Sequence, residues 1–182
     1  MSDPVSALNG ASFTGFATIR EIGPLGMISL RHKGGAALTK AIKAAVGTKV
    51  PAQRRIEIKG DMACGWMSPD EYLLILPYAK VGATMAALAK ALAGEHHLAA
   101  DVSDARAVFR VEGAKAAEVL AKLSPVDFAK LERGELRRSR AAQVAAAMWA
   151  QDGGFTVVCF RSVAGYAMGL LIHSAQPGSE LA

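Results

Sequence analysis

Residues 72–88, YLLILPYAKVGATMAAL, are matched 83 positions later by residues 155–171, FTVVCFRSVAGYAMGLL. Apolar positions coincide along both stretches, Gly82 falls on Gly165, and Met85 falls on Met168. Each begins with a short apolar run rich in strand-forming residues. Small and apolar residues then follow, as they do in a helix lying on a sheet. One strand-to-helix unit used twice predicts an internal duplication.

The flanking sequence supplies the rest of each half. Residues 17–22 (ATIREI) and 26–31 (GMISLR) read as strands around Gly23-Pro24. Within 35–46, Leu38, Ile42 and Val46 recur every four residues, the stripe of an amphipathic helix, and Gly47 offers its stop. Strands at 55–61 and 71–76 and a helix at 80–93 complete the first half. The second half repeats the rhythm: strands at 97–102 and 107–111, a helix at 114–123 closed by Ser124-Pro125, strands at 143–149 and 155–160, and a helix at 163–173 capped by Ser162. AAQVAAAM (141–148) has helical composition, but its place before the turn Asp152-Gly153-Gly154 and a β-branched run assigns it to a strand. The expected fold is therefore α+β: two duplicated ββα-ββα subdomains, each an antiparallel sheet with helices on one face. The expected divisions are an N-terminal segment 1–15, subdomains 16–95 and 96–175, and a C-terminal tail 176–182. Trp66 and Tyr72 flank a turn into a strand and Trp149 ends another, so their rings are expected to be largely buried.

A chain of 182 residues can bury about 70% of its unfolded surface without metals or disulfides. The apolar fraction of 52% includes 36 alanines and falls to about 32% without them. Alanine favours helix while burying little area, so this composition points to close-packed helices rather than a lipid-embedded chain. The longest stretch without a charge, 162–179, contains three glycines, a histidine and a proline, too polar for the ~20 apolar residues of a membrane span. The start, MSDPVSALNG, has no basic region ahead of an apolar run, so no secretory signal is expected. Cys64 and Cys159 lack CxxC spacing and fit the reduced thiols of a cytoplasmic protein.

Net charge is +5, and more than half of that excess lies in residues 130–140, where Lys130, Arg133, Arg137, Arg138 and Arg140 face only Glu132 and Glu135. No aromatic residue interleaves these cations, as a base-stacking surface would require, so nucleic acid is not expected. Four of the five are arginine, whose planar fork pairs bidentately with carboxylates. The segment reads as a connection outside the core, with Arg137, Arg138 and Arg140 the candidate partner interface. One of the three could instead brace the fold internally.

A search for reactive constellations nominates no catalytic, cofactor-binding or metal-ligating residue. GxGxxG, GxxxxGK[ST] and GxSxG are absent. His96 and His97 would point to opposite faces of a strand, and their spacing to His32, His173 and the cysteines is not that of a metal site. Asp101 and Asp104 bracket Val102-Ser103 and read as turn-capping carboxylates. Cys159 sits in an apolar strand as a small hydrophobe, whereas Cys64, beside Gly65, is expected to be the more accessible thiol. Such a chain reads as a subunit rather than a catalyst.

Three segments carry a family resemblance. CGWMSPDEYLLILP (64–77) is similar to a W-x-x-P-D-E-[WY]-L-L-x-x-P pattern, with Tyr72 in place of a frequent Trp. DVSDARAVFRVEGAKAAEVLAKLSPVDF (101–128) is similar to a D-V-S-D…R-x-x-G-x-x-A-x-x-[VL]-L-A-K…D-[LF] run. RGELRRSRAAQV (133–144) leads to the helix start R-S-x-A-x-Y of 161–166, with Arg138-Ser139 where Arg-Thr is usual. In this order and spacing the segments resemble the gamma subunit of heterotetrameric sarcosine oxidase, across most of the chain. The resemblance implies a fold related to the folate-binding part of glycine-cleavage aminomethyltransferase. It also implies a complex with alpha, beta and delta subunits that demethylates sarcosine oxidatively to glycine, with hydrogen peroxide released and the one-carbon unit passed to tetrahydrofolate. In that family FAD, FMN, NAD and zinc belong to the other subunits and tetrahydrofolate is a co-substrate, so gamma is expected to be structural and to contact alpha directly. Two alternatives stay open: a free-standing folate-binding aminomethyltransferase-like protein, and the equivalent subunit of an N-methylglutamate dehydrogenase.

Overall fold

The computed structural model describes residues 3–181. Its elements run β1 (Ser12–Thr14), β2 (Thr18–Ile22), β3 (Leu25–Arg31), α1 (Ala36–Val46), β4 (Ile56–Lys59), β5 (Met62–Ser68), β6 (Glu71–Pro77) and α2 (Val81–Ala91). Then follow β7 (Leu98–Asp101), β8 (Arg106–Glu112), α3 (Ala116–Ala121), β9 (Leu136–Ala141), β10 (Val144–Gln151), β11 (Gly154–Phe160) and α4 (Ala164–Ser174).

They form two units. The unit of residues 25–104 is an antiparallel sheet in the order β4-β5-β6-β3-β7 with α1 and α2 packed on it. Helix α1 forms because Leu38, Ala41, Ile42 and Val46 share one buried stripe. It stops where Gly47 turns left-handed at φ 72 and its N–H donates to Lys43 O. That stripe meets Ile28, Leu30, Leu74 and Leu76 from the sheet and Leu88 from α2.

The other unit joins the described residues up to Pro24 with those from Ala105 onward. Its sheet runs β1-β2-β8-β11-β10-β9, again antiparallel throughout. Ile19, Phe109, Val111, Met148 and Val157 face Val119, Leu120 and Leu171 in one core, and Phe128 meets Phe155 edge to face with centroids 5.4 Å apart. Described residues near both ends are tied into this unit. The buried Glu21 carboxylate accepts from Ser6 Oγ and from the Leu8 and Gly10 amides. Lys122 Nζ donates to the Ser174 and Ser179 carbonyls and sits over the Phe16 ring.

The duplicated α+β architecture is present, and four helices fall where the apolar spacing places them. The two units share one strand order, with β4, β5, β6, β3 and β7 matching β9, β10, β11, β8 and β2. The divisions at 16–95 and 96–175 are corrected. The leading strand of each half pairs with the other half: Ile19 lies opposite Val111, and Leu30 opposite Ala99. Periodicity identifies a strand but not its ladder partner, so two exchanged strands are invisible to it. The described parts of the expected terminal segments, 3–15 and 176–181, are likewise not separate from the fold: β1 and the Lys122–Ser179 contact tie them to one unit.

Three strands escaped the sequence reading, the first being the short β1 inside the expected N-terminal segment. The expected strand 55–61 is β4 plus a tight turn at Gly60-Asp61, and β5 follows at once. Strand β9 lies inside the basic segment read as a connection.

Candidate partner interface

Strand β9 ends the six-stranded sheet, bonded on one side to β10. A terminal strand needs no apolar alternation on its open side and is commonly protected by charge, which is why LRRSRA can be a strand. Its only deeply buried side chains are those at its ends, Leu136 and Ala141. The turn into β10 uses Ala142 at φ 50, a left-handed position where glycine or asparagine is usual.

The pleat separates the three candidate arginines. Arg137 lies opposite Met148, on the face that packs under α3 and α4. It is half-buried and donates to Glu135 Oε1 at 2.8 Å and to Leu136 O at 3.2 Å. Arg137 therefore braces the fold. Arg138 and Arg140, opposite Ala147 and Ala145, share the other face and are exposed.

The remaining cations of the segment are paired within the unit. Lys130 meets Asp127 at 3.0 Å, and that bond holds the Asp127 carboxyl below the usual carboxylate range. Arg133 meets Asp152 at 3.0 Å. Lys130, Arg133 and Arg137 thus each meet a carboxylate of their own unit, which relieves repulsion among the clustered cations at those positions.

The other singled-out residues take structural places. Asp101 Oδ1 accepts from the Ser103 amide and hydroxyl, and Asp104 Oδ2 accepts from Tyr78 Oη at 3.0 Å. His32 is buried and its Nδ1 accepts from the Gly34 amide at 3.1 Å, which leaves the proton on Nε2, 3.8 Å from Glu95 Oε2. Among the described residues no three His, Cys, Asp or Glu side chains gather in a metal-holding group.

The expectation of an accessible Cys64 is overturned. Its side chain is completely buried in the core of the 25–104 unit, because β5 turns it under α1. Burial, with the nearby Glu57 charge, pushes its thiol far above the ordinary range, and burial pushes Cys159 up to about 11. Neither is a ready thiolate at neutral pH. Native protein at pH 8 is expected to leave both thiols unlabelled by a maleimide over minutes, while unfolded protein labels at both. Rapid native labelling of Cys64 would show that β5 opens.

This duplicated sheet-and-helix fold is shared with a solved aminomethyltransferase. A glycine cleavage system aminomethyltransferase T from Bartonella henselae superposes with a TM-score of 0.66 at 14% identity, over 90% of this chain and 47% of that one. Residues 32–175 match the sarcosine oxidase, gamma subunit family, and the chain belongs to that family. A sarcosine oxidase subunit gamma from Arthrobacter sp is 35% identical over 125 residues, 66% of this chain. The chain spans about 60% of the length of the curated relatives it matches. A chain of the heterotetrameric sarcosine oxidase from Corynebacterium sp. U-96, solved in complex with pyrrole 2-carboxylate, superposes with a TM-score of 0.80 at 25% identity. That match covers 90% of this chain and 87% of the other.

Proposed function

We propose that this chain is the non-catalytic gamma subunit of a heterotetrameric sarcosine oxidase, assembled in the cytoplasm with alpha, beta and delta subunits and in direct contact with alpha. The observation that carries the reading is the superposition, at a TM-score of 0.80, on a chain of a heterotetrameric sarcosine oxidase. The complex would convert sarcosine to glycine, release hydrogen peroxide and pass the one-carbon unit to tetrahydrofolate. FAD, FMN, NAD and zinc would be carried by the other subunits. In the gamma chain, Arg138 and Arg140 would face alpha, while Arg137 keeps β9 in shape through Glu135. No helix among the described residues is long and apolar enough to cross a membrane.

The purified chain is expected to be colourless and to leave sarcosine unoxidised, whereas co-expression with the other three subunits yields a coloured complex containing one copy of it. Stoichiometric flavin absorbance on the chain alone, or peroxide released from sarcosine by it alone, would overturn the structural role. A complex that oxidises N-methylglutamate but not sarcosine would reassign the substrate while keeping the subunit.

A further inference from the structure

Within the unit of residues 25–104, three lysines line one open cavity of about 340 Å³, at the small end of the ~300–1,000 Å³ usual for ligand cavities. Lys43 comes from the last turn of α1, Lys59 ends β4, and Lys80 immediately precedes α2. The chain brings the first two to a single point. Lys43 Nζ donates to Gly47 O at 3.4 Å, and Lys59 Nζ lies 3.5 Å from the place a Cβ on Gly47 would take. Two ammonium groups therefore meet over the same glycine. All three lysine side chains are exposed and open to a ligand.

Little in the unit offsets this charge. Asp61 is the one carboxylate that lines the cavity, so three ammonium groups against one carboxylate leave two positive charges over. Among the described residues none of the three lysines forms an ion pair. The other acidic side chains of the unit are engaged elsewhere: Glu57 by Lys49, Asp70 and Glu71 by Arg31, Glu95 beside His32, Asp101 by Ser103 and Asp104 by Tyr78. The helix ends at the rim oppose each other, because α1 brings its negative end and α2 its positive end, each roughly half a charge. No acidic residue stands in the first turn of α2 and no side chain caps it. The excess repels itself until an anion enters.

The residue types narrow the anion. Arginine presents the planar fork that matches a carboxylate, whereas lysine is a compact point charge on a flexible stem. Three lysines and no arginine in the wall suit the tetrahedral oxygens of a phosphate group. Val46, Met62 and Pro77 form an apolar stretch of the same wall, which leaves room for a small carbon body beside the charge.

We propose that this cavity binds a small phosphate monoester, its phosphate held by Lys43, Lys59 and Lys80 and its carbon body set against Val46, Met62 and Pro77. The site lies wholly inside one unit and does not depend on the subunit reading above.

Calorimetric titration of the full chain with phenyl phosphate and with inorganic phosphate tests it, at constant ionic strength and about pH 7.5, where a monoester carries close to two charges. Phenyl phosphate is expected to saturate one site and to bind at least about threefold more tightly than inorganic phosphate. Lys59→Gln and Lys80→Gln should each weaken it at least about fivefold, and Asp61→Asn should tighten it. Lys90→Gln removes a cation at the other end of α2 and should leave it unchanged. On the unmodified protein, phenyl phosphate should slow acetylation of Lys59 and Lys80 but not of Lys90, read by mass spectrometry on the chain or on the assembled complex. Absence of that protection, or a loss for Lys90→Gln equal to that for Lys59→Gln and Lys80→Gln, would reduce the effect to a diffuse ionic atmosphere and overturn the site. Inorganic phosphate binding as tightly as phenyl phosphate would overturn the carbon body, and benzoate binding as tightly would overturn the phosphate. The acetylation comparison decides by itself if a variant fails to fold.

Discussion

Trp149→Ala is expected to cost about 3–5 kcal/mol, the range for truncating a fully buried large aromatic. The residue is 4% exposed, and its indole N–H donates to Gln151 Oε1 at 3.0 Å. Its strand β10 runs between β11 and β9 and is buried on both faces from Ala146 to Ala150. The preceding same-face residues on the strand, Ala145 and Ala147, are too short to fill the lost volume. The melting temperature should fall on the order of 10 °C. Trp66→Ala should cost clearly less, because Trp66 is only partly buried against the core of its unit. The expectation of largely buried rings is met most fully at Trp149 and less so at Trp66. A loss of under about 2 °C for Trp149→Ala would show that its ring is exposed in solution.

The difference between the two tryptophans marks what the sequence can convey. Apolar spacing finds Leu38, Ile42 and Val46 as a helix stripe because each must reach the same core. It finds β6 and β11 because strands central to a sheet are apolar along nearly their whole length. The same logic fails at an edge. Strand β9 is polar on its open side, and its turn uses Ala142 where a hairpin would signal itself with glycine or asparagine. The basic segment was therefore legible as charge but not as a strand. Its composition could not separate Arg137, bound to Glu135, from Arg138 and Arg140. Strand β5 was lost for a related reason. Gly65 is a weak strand former, and the turn at Gly60-Asp61 sits inside what looked like one continuous strand. The exchange of β2 and β7 between halves depends on ladder partners about 70 to 90 residues away, and no local pattern records it.

Long-range pairing also creates the charge network whose loss should be felt most after the core. In the β2–β8 ladder Arg20 lies directly opposite Arg110, an arrangement that by itself repels. Glu112 resolves it. Its carboxylate accepts from Arg20 Nε at 2.9 Å and Nη2 at 2.7 Å, and from Arg110 Nη2 at 3.3 Å. Arg110 is the buried member, and it also donates to Thr156 Oγ1 at 3.1 Å and to Asp152 O at 2.9 Å. Removing one partner of a buried pair typically costs about 3–5 kcal/mol, and the two bonds Arg110 retains place Glu112→Ala near about 3 kcal/mol. Arg110→Met should cost less, about 1–2 kcal/mol, because it removes the buried charge and leaves two neutral acceptors, Thr156 Oγ1 and Asp152 O, without that donor. The pH dependence has a definite sign. The bond from Arg20, ahead of the charges of Arg20 and Arg110, holds the Glu112 carboxyl below its usual range. A carboxyl depressed in the folded state adds stability above its unfolded value of about 4.3, and that increment disappears as pH falls through the folded value. The stability difference between wild type and Glu112→Gln should hold steady from about pH 6 to 8 and shrink between about pH 5 and 3. A difference that stays constant down to about pH 3 would mean that Glu112 is not the group that reconciles the two arginines.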